Sequence, residues 1–156
     1  FRPYCEQTVV HGGFQSMPFL YVNEAGVTNS EATLTLTTLR DWTQAGLTEF
    51  SLWFQGSSSN ATEPLYVVVS SSTDTLAVVT HDDASAATVR LWMQWRIPLQ
   101  TFADLGINLS DVDSIAIGLG SNSGVANPGG SGTIFFDDIR LYPPAPQPEP
   151  EPEPQP

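Results

Sequence analysis

The chain has 156 residues, of which 17 are acidic and five are basic, and its formal charge is −12. This length fits one domain with a sizeable hydrophobic core, and the acidic balance excludes nucleic acid and anionic membrane surfaces as partners, because both require clustered positive charge. The longest apolar runs are far shorter than the roughly 20 residues that span a bilayer, and a charged fraction of only 14 % is typical of a secreted all-β domain.

Hydrophobic and polar residues alternate along the body of the chain, from residue 1 to residue 142. A period of two predicts β-strands rather than helices, and the Gly, Ser, Asn and Pro clusters between the alternating segments predict turns. The nine predicted strands are residues 8–10, 16–23, 30–37, 50–56, 65–71, 75–81, 89–99, 114–120 and 133–142. Short strands at this spacing indicate a β-sandwich of about nine antiparallel strands in two sheets.

The alternation also divides the aromatic residues between a core face and a polar face. Trp53, Tyr66 and Trp92 each alternate with the apolar residues of their own strand, so we expect them on the polar face. Aromatic rings beside Arg and Gln can stack on sugar rings or anchor a protein partner. A third interpretation is that loops or a terminal segment simply cover these aromatic rings. Trp42, in a predicted helical turn over 39–45, is expected to plug the core.

Residues able to carry catalysis are few. His11 and His81 are the only histidines, and Cys5 is the only cysteine. The sequence has no GxSxG nucleophile motif and no HExxH metal motif, and the HGG segment at 11–13 is predicted to be a turn. Paired carboxylates are present, but they are too common to indicate glycoside hydrolysis without a known geometry. We therefore predict that the domain is not an enzyme.

The last predicted strand carries a candidate metal ligand. Strict alternation puts Asp137 on the face of the apolar residues that follow it, at the edge of the core. A buried carboxylate without a partner would be costly. Because the chain has no lysine and few arginines, a calcium ion with oxygen ligands is a reasonable partner, and Glu6, Asn23 or Glu24 could complete its shell. Hydrogen bonds from loop amides to Asp137 are the alternative.

Two sequons, at Asn60 and Asn108, lie in predicted loops. Such sites accept N-linked sugars when they are exposed in a secreted protein. The sequence therefore predicts glycans as covalent or bound partners of the domain.

The end of the chain, residues 143–156, has a different composition from the body. Eight of its 14 residues are proline and three are glutamate. Proline fixes φ and has no N–H, so an extended polyproline II helix is expected, with a length of about 43 Å at ~3.1 Å per residue. This proline-rich tail would serve as a linker between domains, or it would dock on a neighbouring copy of the domain or on sugars.

The ending GGSGTIFFDDIRLYP resembles the last strand of jelly-roll carbohydrate-binding modules of secreted bacterial proteins, including planctomycete-type ones. The segments HGGFQSMPFLYVNEAGVTNSEATLTL and LTEFSLWFQG continue the resemblance, which covers nearly the whole body but not the tail. The resemblance implies a jelly-roll sandwich and a structural calcium ion near Asp137. Many such modules are structural, so the resemblance itself says little about sugar binding.

Two functional hypotheses follow for an extracellular or cell-surface domain. The first is a structural subunit that self-associates head-to-tail through a terminal segment into a glycosylated fibril or surface array, since a heterologous contact propagates. Its expected contact residues are Phe1, Trp53, Tyr66 and Trp92. The alternative is a calcium-stabilised carbohydrate-binding module of a larger secreted protein, in which Trp92 binds a polysaccharide.

Overall fold

The computed structural model describes residues 5–122 and 129–144 of the chain. Within these ranges the chain forms eight strands, which are β1 (Met17–Asn23), β2 (Asn29–Thr35), β3 (Glu49–Gln55), β4 (Leu65–Ser71), β5 (Leu76–Thr80), β6 (Met93–Pro98), β7 (Val112–Gly120) and β8 (Gly130–Tyr142). One short helix, α1, covers Leu99–Asp104, and a single 3-10 turn covers Ala86–Thr88. Neither of these two helical segments has the length and apolar character that a membrane crossing requires.

The strands form two antiparallel sheets of four strands each. The order is β1-β8-β3-β6 in the first sheet and β2-β7-β4-β5 in the second. The chain pairs β1 with β8, β2 with β7, β3 with β6 and β4 with β5. These nested pairs are those of one long hairpin folded over a core, which is the topology of a jelly roll. The predicted all-β sandwich is therefore confirmed.

The inward side chains of the two sheets share one hydrophobic core. In β3, the alternating residues Phe50, Leu52 and Phe54 are all at most 1 % exposed. Trp42 is also buried, and its ring stacks on that of Phe50 with 6.3 Å between centroids. The indole N–H of Trp42 donates to the carbonyl of Leu39, which satisfies its polar atom. The prediction that Trp42 plugs the core is confirmed.

The first of the nine predicted strands is absent. In the described part of the segment before β1, the β-pairing consists of one isolated bridge between Glu6 and Ser16. The carboxylate of Glu6 accepts the backbone N–H groups of Gln7 and Thr8, so the chain turns where the alternation predicted residues 8–10 to be extended. A side chain that bonds the neighbouring backbone competes with strand pairing in this way.

A β-bulge in β8 changes the orientation of its acidic residues. The register with β3 pairs Trp53 with Asp137 and Ser51 with Arg140, with an irregularity between the two pairs. Asp138 has a positive φ of 46°, as one residue of a bulge often does. One extra residue in β8 lets Asp137 share the outer face with Trp53. The prediction that Asp137 lies on the core face is therefore wrong, because it assumed an unbroken alternation.

The ends of the chain fall mostly outside the described ranges. Phe1 and residues 145–156 are not among the described residues, so the proposed connector and its first contact residue stay predictions. The division into a body, residues 1–142, and a tail, residues 143–156, also stays a prediction.

Candidate functional site

The outer face of the first sheet carries an aromatic cluster, which we call the aromatic platform and which consists of His11, Trp53 and Trp92. The ring of His11 lies flat on that of Trp53, with 3.7 Å between centroids and an interplanar angle of 17°. Trp92 meets His11 edge-on at 5.7 Å. Both tryptophans are half-buried, whereas His11 is exposed at the surface. Trp53 and Trp92, predicted separately from their strands, thus belong to one site.

Two adjacent carboxylates hold His11 over Trp53. Asp137 Oδ2 accepts the backbone N–H groups of His11 and Gly12 at 2.9 and 3.0 Å. Oδ2 of Asp138 lies 2.7 Å from Nδ1 of His11. Oδ1 of Asp138 accepts a hydrogen bond from Arg140 at 2.8 Å. A Cβ atom on Gly12 would stand 2.5 Å from Asp138 Oδ2, so a larger residue at this position would displace the Asp138 carboxylate.

Polar side chains surround the aromatic platform. Gln94 and Asp137 lie directly opposite Trp53 on the two neighbouring strands, so the three share one row of the sheet. The amide of Gln94 donates to the hydroxyl of Ser51 at 2.9 Å, and that of Gln55 donates to the carbonyl of Arg90 at 2.7 Å. The platform is therefore an apolar surface inside a rim of hydrogen-bonding groups.

Sequence reasoning missed His11, which it treated as part of a turn. The available signal was the pair of glycines that follows it, because small residues let a backbone approach other groups closely. The contact itself joins residues that are 42 positions apart in the chain, His11 and Trp53. No local pattern identifies such a pair.

Tyr66 does not belong to the aromatic platform. It lies in β4 of the second sheet and is only 1 % exposed, although it packs with Val68 and Ala116 apart from the main core. The expectation that Tyr66 shares one face with Trp53 and Trp92 is therefore wrong, because alternation within a strand does not tell which sheet the strand joins.

Of the residues predicted to bind calcium, Glu6 bridges Ser16, beside the end of β1 that pairs next to Asp137, whereas Glu24 lies at the other end of β1. Asp137 accepts two loop amides on Oδ2 and the N–H of Asp138 on Oδ1. Glu24 follows the end of β1 that pairs with Gly130, whereas the other end of β1 pairs next to Asp137. Among residues 5–122 and 129–144, no three His, Cys, Asp or Glu side chains are grouped as a metal site requires. Calcium binding by Asp137, Glu6 and Glu24 therefore stays a prediction of the sequence.

The two sequons differ in their surroundings. Asn60 is half-buried, and its Nδ2 donates to the carbonyls of Ala87 and Thr133, both at 2.8 Å. Its Oδ1 accepts the N–H of Thr133 at 3.1 Å. Asn108 is exposed, and its Oδ1 accepts from Ser110 in the turn before β7. Asn60 therefore connects three segments of backbone, whereas the side chain of Asn108 faces solvent.

We expect Asn60→Ala to lower the free energy of unfolding by about 1–3 kcal/mol, because it leaves half-buried backbone groups without partners. Asn108→Ala, the matched control, should cost less than about 1 kcal/mol because water replaces its bonds. Urea denaturation of the two variants measures both values. A larger loss for Asn108→Ala than for Asn60→Ala would contradict this assignment.

Comparisons with known proteins identify the fold. No protein-family model and no curated protein matches the chain. The chain is similar in structure to the family 30 carbohydrate-binding module of a cellulosomal cellulase of Clostridium thermocellum, with a TM-score of 0.59, 17 % identity and coverage of 90 % of this chain and 81 % of that one. The fold is that of a jelly-roll carbohydrate-binding module.

Two further solved structures share this fold. The CBM22-1 xylan-binding domain from Paenibacillus barcinonensis matches with a TM-score of 0.53, 14 % identity and coverage of 90 % of this chain and 81 % of that one. A beta-1,2-glucanase from Parabacteroides distasonis matches with a TM-score of 0.63 and 18 % identity. The match covers 90 % of this chain but only 20 % of the glucanase, so the chain spans about a fifth of that enzyme's length.

Proposed function

We propose that the domain is a non-catalytic carbohydrate-binding module that recognises a polysaccharide through the aromatic platform. The observation that carries the proposal is a half-exposed Trp92 beside His11 and Trp53 on the polar outer face of the first sheet. The apolar C–H face of a sugar ring packs on an indole, and its hydroxyls bond to polar groups around the ring. Gln94 and the neighbouring arginines offer such groups at the rim.

Asp137 and Asp138, the carboxylates beside the platform, hold the loop of His11 in place, and this role argues against catalysis. Hydrolysis of a glycoside needs an acid and a second carboxylate, both free to act on opposite sides of the bond. Here Asp137 accepts three backbone N–H groups, and Asp138 is shared between His11 and Arg140. Both carboxylates are used to fix the loop that carries His11.

The size of the domain, which is close to that of known binding modules, also supports polysaccharide recognition. The chain spans about four fifths of the binding modules that it resembles, and such a module concentrates a larger secreted protein on its substrate or on a cell surface. The fibril hypothesis depended on residues 143–156, which lie beyond the described part of the chain except for the first two. The likeness to binding modules favours the alternative over self-assembly.

The test is Trp92→Ala, assayed by affinity electrophoresis in gels that contain xylan, mixed-linked β-glucan or β-1,2-glucan. The wild type should be retarded by at least one of these polysaccharides, and the variant should lose affinity at least about tenfold, or about 1.4 kcal/mol. Its thermal unfolding should match the wild type, because Trp92 lies outside the main core.

Leu91→Ala is the control, since Leu91 is 74 % exposed and precedes Trp92 directly. It should retain wild-type retardation, which separates stacking on the indole from general apolar contact. Unchanged binding by Trp92→Ala, or no binding of the wild type to any polysaccharide in the panel, would refute the platform as a sugar site.

A further inference from the structure

We propose that Trp53 carries a second sugar subsite, which the ring of His11 occupies until a longer ligand displaces it. The inference rests on the proposed function for its ligand class, and it gives His11 a role in determining specificity. The imidazole lies on the indole of Trp53 with 3.7 Å between centroids and an interplanar angle of 17°. A sugar ring that stacked on this face of Trp53 would need the position that the imidazole now holds.

His11 also makes the polar contacts that a sugar would make at this position. Nδ1 of His11 lies 2.7 Å from Oδ2 of Asp138, and an ionised carboxylate can only accept, so Nδ1 is the donor. Oδ2 of Asp137 accepts the backbone N–H groups of His11 and Gly12. Displacement of the loop leaves an aromatic floor beside two carboxylate acceptors, and these are groups to which sugar hydroxyls donate. His11 therefore imitates a sugar ring, both in its flat face and in its donors.

The loop that carries His11, residues 7–15, has little apolar attachment to the sandwich. None of its residues belongs to the hydrophobic core or packs against it, and Phe14, its largest apolar residue, is 90 % exposed. Gly12 and Gly13 follow His11 directly, and Gly13 has a positive φ of 66°. Segments with few buried apolar contacts open at a low cost in free energy. A ligand can therefore displace this loop without unfolding the two sheets.

The covered position adjoins the part of the platform that is open. His11 contacts Trp92 edge-on at 5.7 Å as well as Trp53, so a ligand in the place of His11 is continuous with one that packs on Trp92. A short ligand binds at Trp92 with the loop in place, whereas a longer ligand reaches Trp53 only when the imidazole has left it. The affinity at Trp53 is reduced by the fraction of molecules in which this has occurred. His11 thus limits the affinity that the domain gains from a longer ligand.

The experiment is isothermal titration calorimetry of the wild type and of His11→Ala with the hexasaccharides of xylan, mixed-linked β-glucan and β-1,2-glucan. His11→Ala removes the ring but keeps the backbone N–H groups that donate to Asp137, so the fold is retained. We expect the variant to bind the preferred hexasaccharide at least about threefold more tightly than the wild type, because no ring competes for Trp53. If His11 were instead a permanent contact of the sugar, the same variant would bind more weakly, so the sign of the change decides.

The proton signals of the His11 ring report the displacement directly in the wild type. Protons that lie over an indole are shifted upfield by its ring current, so these signals should be upfield in the free domain. They should move towards the position of an exposed histidine as the hexasaccharide saturates the domain. The corresponding disaccharide should shift the indole N–H signal of Trp92 and leave the His11 signals in place.

Phe14→Ala is the matched control, because Phe14 is an exposed ring in the same loop, and it should bind as the wild type does. The double variant His11→Ala/Trp53→Ala should lose the gain, since the uncovered indole provides it. Thermal unfolding shows whether each variant is folded. Weaker hexasaccharide binding by His11→Ala, or His11 signals that stay upfield at saturation, would overturn the covered subsite and leave the platform as a sugar site. Failure of both the wild type and His11→Ala to bind any hexasaccharide would refute the proposed function together with the subsite.

Discussion

Glu63→Gln is expected to stabilise the domain by about 1–3 kcal/mol at neutral pH, because it removes the charge of a buried carboxylate and a neutral amide costs less to bury. Glu63 is only 1 % exposed, and neither of its side-chain oxygens has a partner among the residues that the structure describes. Burial raises the pKa of Glu63 above its ordinary value of 4.5, and the nearby Asn23 side chain opposes this effect. Together with burial, the Glu63 charge raises the pKa of Tyr21 to about 12.

The gain from Glu63→Gln should depend on pH in a defined direction. Because the pKa of Glu63 is higher in the folded state, folding favours the protonated form. This contribution to stability is fully present below the pKa that Glu63 has in the unfolded chain. It is lost as the pH rises through the pKa that Glu63 has in the folded domain. The variant should therefore be more stable than the wild type at pH 7.5, and the difference should shrink towards pH 4.

Urea denaturation of wild type and variant at pH 4 and pH 7.5 measures this difference. The two proteins must be compared at the same pH, because other carboxyl groups also make stability depend on pH. Hydrogen bonds from Thr43 lower the pKa of Asp41, and those from Ser85 lower the pKa of Asp83, so these two groups favour folding as the pH rises. Glu24→Gln, at an exposed position, is the control and should show no such gain. An equal difference at both pH values, or a variant less stable than the wild type at pH 7.5, would show that neighbouring groups stabilise the Glu63 carboxylate.

The sequence was informative where local alternation determined the structure. Period-two patterns predicted the sandwich, and they assigned Phe50 and Leu52 of β3 to the core and Trp53 to the outer face. The hydrophobic effect enforces this division in every strand that is buried on one side. The same argument expected Trp92 on the face of Trp53, and Trp92, just before β6, contacts His11, whose ring lies on that of Trp53.

The features that could not be predicted from the sequence depend on the conformation of a single residue or on contacts between residues that are distant in the chain. The bulge at Asp138 shifts the alternation of β8 by one residue, so the faces on one side of the bulge are opposite to those that an unbroken alternation predicts. Aspartate tolerates the positive φ of this position without any distinctive sequence signal. The hydrogen bond from the Tyr66 hydroxyl to Glu31 requires β2 and β4 to lie on either side of β7, which only the sheet order establishes. Glu63 precedes β4 like any loop residue, and nothing in its neighbours indicates that it is buried.

Asp137→Ala is expected to detach the loop that carries His11 and to cost about 2–3 kcal/mol, because hydrogen bonds to a charged group are stronger than neutral ones. The variant loses the acceptor for the N–H groups of His11 and Gly12. Amide hydrogen exchange at these two positions should accelerate, and the fluorescence of Trp53 should change as the imidazole leaves its ring. Asp113→Ala is a suitable control, since Asp113 pairs at 3.5 Å with Arg40 far along the chain from this loop.

The same variant decides between the two sequence interpretations of Asp137. If loop amides are its partners, chelation by EDTA and addition of millimolar calcium should leave the melting temperature of the wild type unchanged. If calcium were the partner, the melting temperature would rise with added calcium in the wild type and not in Asp137→Ala, because metal that binds only the folded state stabilises it. Both oxygens of Asp137 already accept N–H groups, and a cation would have to displace these donors. We therefore expect the calcium response to be absent and the cost of Asp137→Ala to be the same with and without the ion.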